Sequence, residues 1–219
     1  MIIDHDDRRY RERWERAGVN KYNGAFYYSK EIVKNIIPRV ETDRNWITVN
    51  VKGAGADHSI VFIHNNLNPE NYEWLKTYGY RDLILVCGVP ETCEMVAHLG
   101  TPIYLPLSID VDYVKEFKQE KTREAAFAGR PTKRRGIKLP DDLDYIEGLK
   151  RQSFLNEMAK YKLIYAVGRT AIEAKALGCR LKAYDPRFPK VSFWKVLDNK
   201  DAAKILQEKI NEIDGKRIR

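Results

Sequence analysis

Short apolar runs that alternate with helix-like stretches constrain this chain more than any other feature. SIVFI at 59–63, DLILVCG at 82–88 and KLIYAV at 162–167 have strand length and are largely apolar, with no in-out alternation. A strand apolar on both faces needs cover on both sides, and parallel neighbours need crossovers long enough to hold a helix. The intervening stretches supply such crossovers: NPENYEWLKTYGY, PETCEMVAHLG closed by Gly100, EGLKRQSFLNEMAKY, and RTAIEAKALG closed by Gly178. WITVNV, TPIYLPLSI, EAAFAG and RLKAYD add further strand candidates. The pattern predicts an α/β protein built on parallel sheets with helical layers.

The rhythm breaks once, at 108–123, where SIDVDYVKEFKQEKTR is polar and charged enough to form a linker with a helical turn. We place a boundary there, which gives one parallel-sheet domain over 21–110 and a second over 111–219. Ahead of them, residues 1–20 alternate acid and base around Tyr10 and Trp14, and read as an exposed charged helix or arm. Asn23-Gly24 signals a turn. FYYSKEIVKNIIPRV then has helical spacing until Pro38 ends it, with no strand evident before it. DNKDAAKILQEKINEI forms the closing helix, with Asp198 or Asn199 as its cap.

With 219 residues, 43% of them hydrophobic, the chain can bury one good-sized core or two small ones. No apolar run approaches the roughly 20 residues that span a bilayer, and the charged start is unlike a signal peptide. The expectation is a soluble, cytoplasmic protein. Cys87, Cys93 and Cys179 are odd in number and lack the paired spacing of a zinc site, so they read as reduced thiols of the core. The net charge of +8 favours an anionic partner, and nucleotide phosphate, nucleic acid and lipid headgroup all qualify. The basic runs KRR at 133–135 and KRIR at 216–219 are short, so solubility alone also accounts for the charge.

In open α/β sheets ligands bind beyond the carboxyl ends of the strands. Four places qualify: His64-Asn65-Asn66, Gly129-Arg130, Gly168-Arg169-Thr170, and Asp185. The third is the richest. Glycine after a strand lets backbone approach a ligand, Thr170 can cap the helix that follows, and a helix amino end favours phosphate. Arg169 can add a bidentate contact, and Glu173 lies on the same helix face, where a carboxylate can accept ribose hydroxyls. A plain helix start, with Glu173 answering the helix dipole, fits the same residues. His64 is the candidate acceptor-side base, because a neutral imidazole can take a hydroxyl proton, although a lone histidine also fits a structural role. Asp57 and His58 precede their strand and belong to the opposite edge.

The stretch AVGRTAIEAKALGCRLKAYD at 166–185 resembles the carboxyl-terminal domain of GT-B glycosyltransferases, in which a strand, a Gly-Arg-Thr turn and a Leu/Ile-Glu-Ala-x-Ala-x-Gly helix lead into the next strand. LPLSIDVDYVKEF resembles that family's interdomain segment, and AFAGRPTKRRG its Gly-Arg loop closed by Lys-Gly. The resemblance implies two small Rossmann-like domains facing a cleft, and a nucleoside diphosphate sugar bound as donor. It places Gly129, Arg130, Arg135, Gly168, Arg169 and Thr170 on the diphosphate and Glu173 on the ribose. It implies no cofactor and no metal. Arg135 stands where the family has lysine, and the family's second glutamate would fall near Tyr165, so that half of the motif is missing.

Three functions stay open at this stage: transfer of a sugar to an acceptor hydroxyl, transfer to a nucleic acid base as in phage DNA glucosyltransferases, and a non-catalytic protein that keeps the sugar-nucleotide fold. GAGAD at 53–57 lacks the third glycine of a dinucleotide fingerprint and precedes a strand. No Gly-x-Ser-x-Gly turn is present. Asp110-Val111-Asp112 falls in the interdomain segment, not at a metal-binding strand end.

Overall fold

The computed structural model describes residues 1–4, 24–49, 55–64, 72–129 and 137–217. The chain forms two units, residues 1–106 together with 199–219, and residues 107–198.

The first unit holds five parallel strands: β1 (Ile2–Ile3), β2 (Asn45–Ile47), β3 (Ser59–Ile63), β4 (Leu83–Cys87) and β5 (Thr101–Tyr104). They lie side by side in sequence order. β3 and β4 are buried at every residue, which explains their largely apolar sequences, and they pair in register from Ser59↔Leu83 to Ile63↔Cys87. Ile47, Val61, Ile63, Leu85 and Cys87 pack with Tyr72, Trp74, Leu75 and Val96 from the connections. Burying side chains of this size stabilises by about 1.5–3 kcal/mol each.

The helices of this unit are α1 (Gly24–Glu31), α2 (Trp74–Thr77) and α3 (Pro90–Val96). Gly24 of the expected Asn23-Gly24 turn is the first residue of α1, and Asn23 lies outside the described residues. Beyond α1 the helix widens to a π turn over Ile32–Ile36 and tightens to a 3-10 turn over Ile37–Arg39. Pro38 has no amide to continue the ladder, and the change of helix type keeps Ile32, Ile36 and Ile37 in the core.

β1 is a strand that the sequence reading did not identify. Two residues carry no readable period, but their pairing with Trp46 and Ile47 fixes them. The expected arm therefore begins as part of the sheet, and residues 5–20 lie outside the described residues. The closing helix, α7 after the elements below (Asn199–Arg217), belongs to the first unit, whereas the expected boundary assigns it to the second. Arg44, fully buried, binds it by directing Nη2 to Asp214 Oδ1 at 2.6 Å. Of the two expected caps, Asp198 accepts the Val111 amide at 3.1 Å, and Asn199 is the first helical residue and donates to Glu31.

In the second unit α4 (Val111–Lys115) is the expected helical turn, and Asp110 caps it by accepting the Tyr113 amide at 3.0 Å. β6 (Arg123–Ala128), β7 (Asp144–Ile146), α5 (Arg151–Met158), β8 (Tyr161–Tyr165), α6 (Arg169–Ala176) and β9 (Arg180–Lys182) follow. All four strands are parallel, in the order β7-β6-β8-β9. β7 is a second strand the sequence reading did not identify. It pairs on one side only, and Asp144 and Tyr145 are exposed, so it lacks the apolar pattern of a central strand. Phe127 and Ile164 fill the core with Leu155, Met158, Ile172 and Leu177. Lys121 ties two helix ends together by donating Nζ to Ala159 O at 2.7 Å and Leu177 O at 2.9 Å.

The expected α/β class and parallel sheets are present in both units. The cysteines are free, with Cys87 and Cys179 buried and Cys93 partly so. Among the described residues no helix is long and apolar enough to cross a membrane.

Candidate functional site

The strand order of the second unit reverses at β6: the chain steps from β6 to β7 on one side and then returns to β8 on the other. Loops leaving neighbouring strands in opposite directions open a crevice at the carboxyl edge of such a sheet. Gly129 follows β6 at this point. A Cβ built on it would lie 3.0 Å from the Phe127 ring, so a larger residue would have to displace that core side chain. Arg130 and Arg135, the expected phosphate ligands of this loop, lie outside the described residues, as do Lys133, Arg134 and Gly136.

On the other side of β6 the turn after β8 delivers α6. Gly168 is its N-cap, with φ 64° and ψ −142°, a backbone region that residues with a Cβ rarely enter. Its carbonyl accepts the Ala171 amide at 3.0 Å and so opens the helix. Thr170 is therefore not the cap: it is the second helical residue, half-buried, because the sharp turn at Gly168 starts the helix two positions earlier than the hydroxyl would. The first amides of a helix have no acceptor within it, and their dipole favours an anion.

Glu173 is 2% exposed and meets two guanidinium groups through one oxygen. Arg169 Nε lies 2.9 Å from its Oε1, one turn back on α6, as the spacing predicts. Arg151 Nη2 donates to the same oxygen at 2.7 Å. Arg151 is the first residue of α5, beyond the carboxyl end of β7. Because β7 and β8 flank β6, this ion pair bridges the β7 and β8 sides of the reversal point. Burial pushes the Glu173 pKa up, but the charges of Arg151 and Arg169 and their hydrogen bonds more than reverse this and hold it below the usual carboxylate range. The side chains of Arg151 and Arg169 are 15% and 10% exposed, so the cluster sums to one positive charge, largely shielded from water.

Asp185, the other position flagged at this edge, binds Arg187. Arg187 Nε donates to Oδ1 at 2.9 Å and Nη2 to Oδ2 at 2.7 Å, a bidentate pair two residues apart. Sequence reasoning did not single out Arg151 or Arg187. Arg151 stands 22 residues from Glu173, so no local spacing announces their contact.

In the first unit His64 follows β3, as expected. Its Nε2 donates to the Thr48 carbonyl at 2.6 Å, its amide donates to the Tyr72 hydroxyl at 2.7 Å, and its ring meets Tyr28 edge-on. Burial lowers its pKa to about 4 against the opposing effect of the Thr48 carbonyl, so the ring is neutral at pH 7. A carbonyl only accepts, so the proton sits on Nε2 and Nδ1 carries the lone pair. Asn65 and Asn66 lie outside the described residues, as do Gly53 and Ala54 of GAGAD.

His58 and Asp57 belong to the opposite edge, as expected. His58 Nδ1 lies 2.5 Å from Asp82 Oδ2 and Nε2 lies 3.0 Å from Asp43 Oδ1, while Arg44 Nη1 lies 3.2 Å from Asp82 Oδ1. All four residues sit at the amino ends of β2, β3 and β4.

Comparison with protein-family models, with curated proteins and with solved structures returns no match.

Proposed function

We propose that this chain is a nucleotide-sugar glycosyltransferase of the GT-B class, and that its second unit binds the donor diphosphate. The observation that supports this most is the meeting of three features beyond β8: the reversal of strand order, the Gly168 turn that opens α6, and the ionised, buried Glu173 on that helix. The helix amino end and Arg169 face the charge of a diphosphate, and a carboxylate held ionised accepts ribose hydroxyls. Arg130 and Arg135 of the loop after Gly129 complete the basic set.

In the reaction the bond between the sugar's anomeric carbon and the diphosphate oxygen breaks, and a bond to the acceptor hydroxyl oxygen forms. Negative charge builds on the leaving diphosphate, where the helix dipole and guanidinium groups stabilise it. The hydroxyl proton goes to a base. His64 holds that role in the proposal, with Nδ1 as the accepting atom. A pKa of about 4 makes it a weak base that acts late, as the hydroxyl becomes acidic on attack.

The net charge of +8 supports a second reading, in which the acceptor is a base in DNA. DNA affinity that falls steeply with salt separates it from the first.

Calorimetric titration with UDP, GDP, ADP, CDP and TDP tests the donor site. One diphosphate binds saturably, and Glu173→Gln and Arg130→Ala each weaken it at least tenfold. Absence of binding by all five overturns the proposal.

A further inference from the structure

Glu173 is usable as a ribose acceptor only if its carboxylate is charged and pointed, and the sequence around it provides neither property alone. Arg169, four residues away, can reach it from the same helix. Such a pair lies within one helix and does not tie Glu173 to any other element. Arg151 differs, because it comes from another helix and approaches across the end of β6. Its contact with Oε1 at 2.7 Å is the shorter of the two. Two guanidinium groups therefore hold the Glu173 carboxylate by Oε1, one from its own helix and one from α5.

We infer that Arg151 is a positioning residue of the donor site: from α5 it holds the Glu173 carboxylate in place for the ribose hydroxyls of a nucleoside diphosphate, and does not itself bind the phosphates. This rests on the donor-site reading above. The consequence is specific. Loss of Arg151 removes discrimination at the sugar hydroxyls and spares recognition of the diphosphate.

The test compares three probes by calorimetry: whichever of UDP, GDP, ADP, CDP and TDP binds, its 2′,3′-dideoxy form, and inorganic pyrophosphate. The wild-type protein prefers the hydroxylated nucleotide about tenfold or more, the worth of a hydrogen bond to a charged group. In Arg151→Gln that preference falls to within about threefold of unity, while pyrophosphate affinity stays within threefold of wild type. Arg151→Lys keeps the charge but not the planar fork, and restores part of the preference. If Arg151→Gln weakens all three probes equally, Arg151 is a phosphate ligand and the inference fails. If the preference survives in Arg151→Gln, the pair is a structural brace and the inference also fails. Failure of the wild-type protein to bind any nucleotide sinks the donor-site reading itself, and the inference with it. A preference present in the wild type and unmoved by the variants sinks the inference alone. Thermal melts of both variants show that the compared proteins are folded.

Discussion

Each unit is built on its own all-parallel sheet, and the two place their ion pairs at opposite ends of the strands. In the first, Arg44, His58, Asp43 and Asp82 gather at the amino ends of the strands. In the second, Arg151, Arg169, Glu173, Asp185 and Arg187 gather at the carboxyl ends. The first sheet runs in sequence order and the second reverses at β6. Strand order decides where a crevice opens in such sheets, so similar ion pairs are expected to do different work. Those of the first unit fasten the closing helix to the sheet. Those of the second surround the reversal point.

The sharpest way to break this comparison is to remove Arg44. Arg44→Met leaves Asp82 and Asp214 without their guanidinium, though both are about a third exposed and regain water. We expect a loss of about 2–3 kcal/mol in urea unfolding, with nucleotide affinity of the folded protein unchanged. An equal loss of nucleotide binding would erase the distinction between the edges.

His64 gives the next effect. Its folded pKa of about 4 lies below the unfolded value, so the unfolded state binds more protons between about pH 4 and 6.5. Stability is complete above that window and falls as pH drops through it, by on the order of 2 kcal/mol between pH 7 and 4.5. His64→Gln flattens this slope in urea melts over the same range. A slope that persists assigns it to other groups. Glu173 is depressed as well and adds its own loss at lower pH, as the carboxyl protonates between its arginines.

Binding comes third. Glu173→Gln weakens the nucleoside diphosphate at least tenfold, about 1.4 kcal/mol, whereas Asp82→Asn leaves its affinity unchanged. Smallest is Gly168→Ala. Nothing lies within 4 Å of the added Cβ, so the cost is conformational, about 1 kcal/mol in a melt.

Much of this contrast was legible in the residues. The apolar runs marked β3, β4 and β8, and the glycine after β8 marked the start of α6. β1 and β7 escaped because two or three residues, half of them exposed or followed by charge, show no period. Thr170 looked like a cap because hydroxyls cap helices in general, whereas here a positive φ available to glycine turns the chain earlier. Glu173 and Arg169 were visible as a helical pair. Arg151 was not, since only the return of the chain across β6 brings it to Glu173. The placement of α7 with the first unit was hidden for the same reason: its link to Arg44 spans 170 positions.

The most direct measurement is a residue-resolved NMR titration of the protein with UDP, GDP, ADP, CDP and TDP. The account predicts that one of them gives saturable amide shifts concentrated on Gly129, Arg151 and residues 168–173. Shifts centred on Arg44, His58 and Asp82, or no saturable shifts with any of the five, would contradict it.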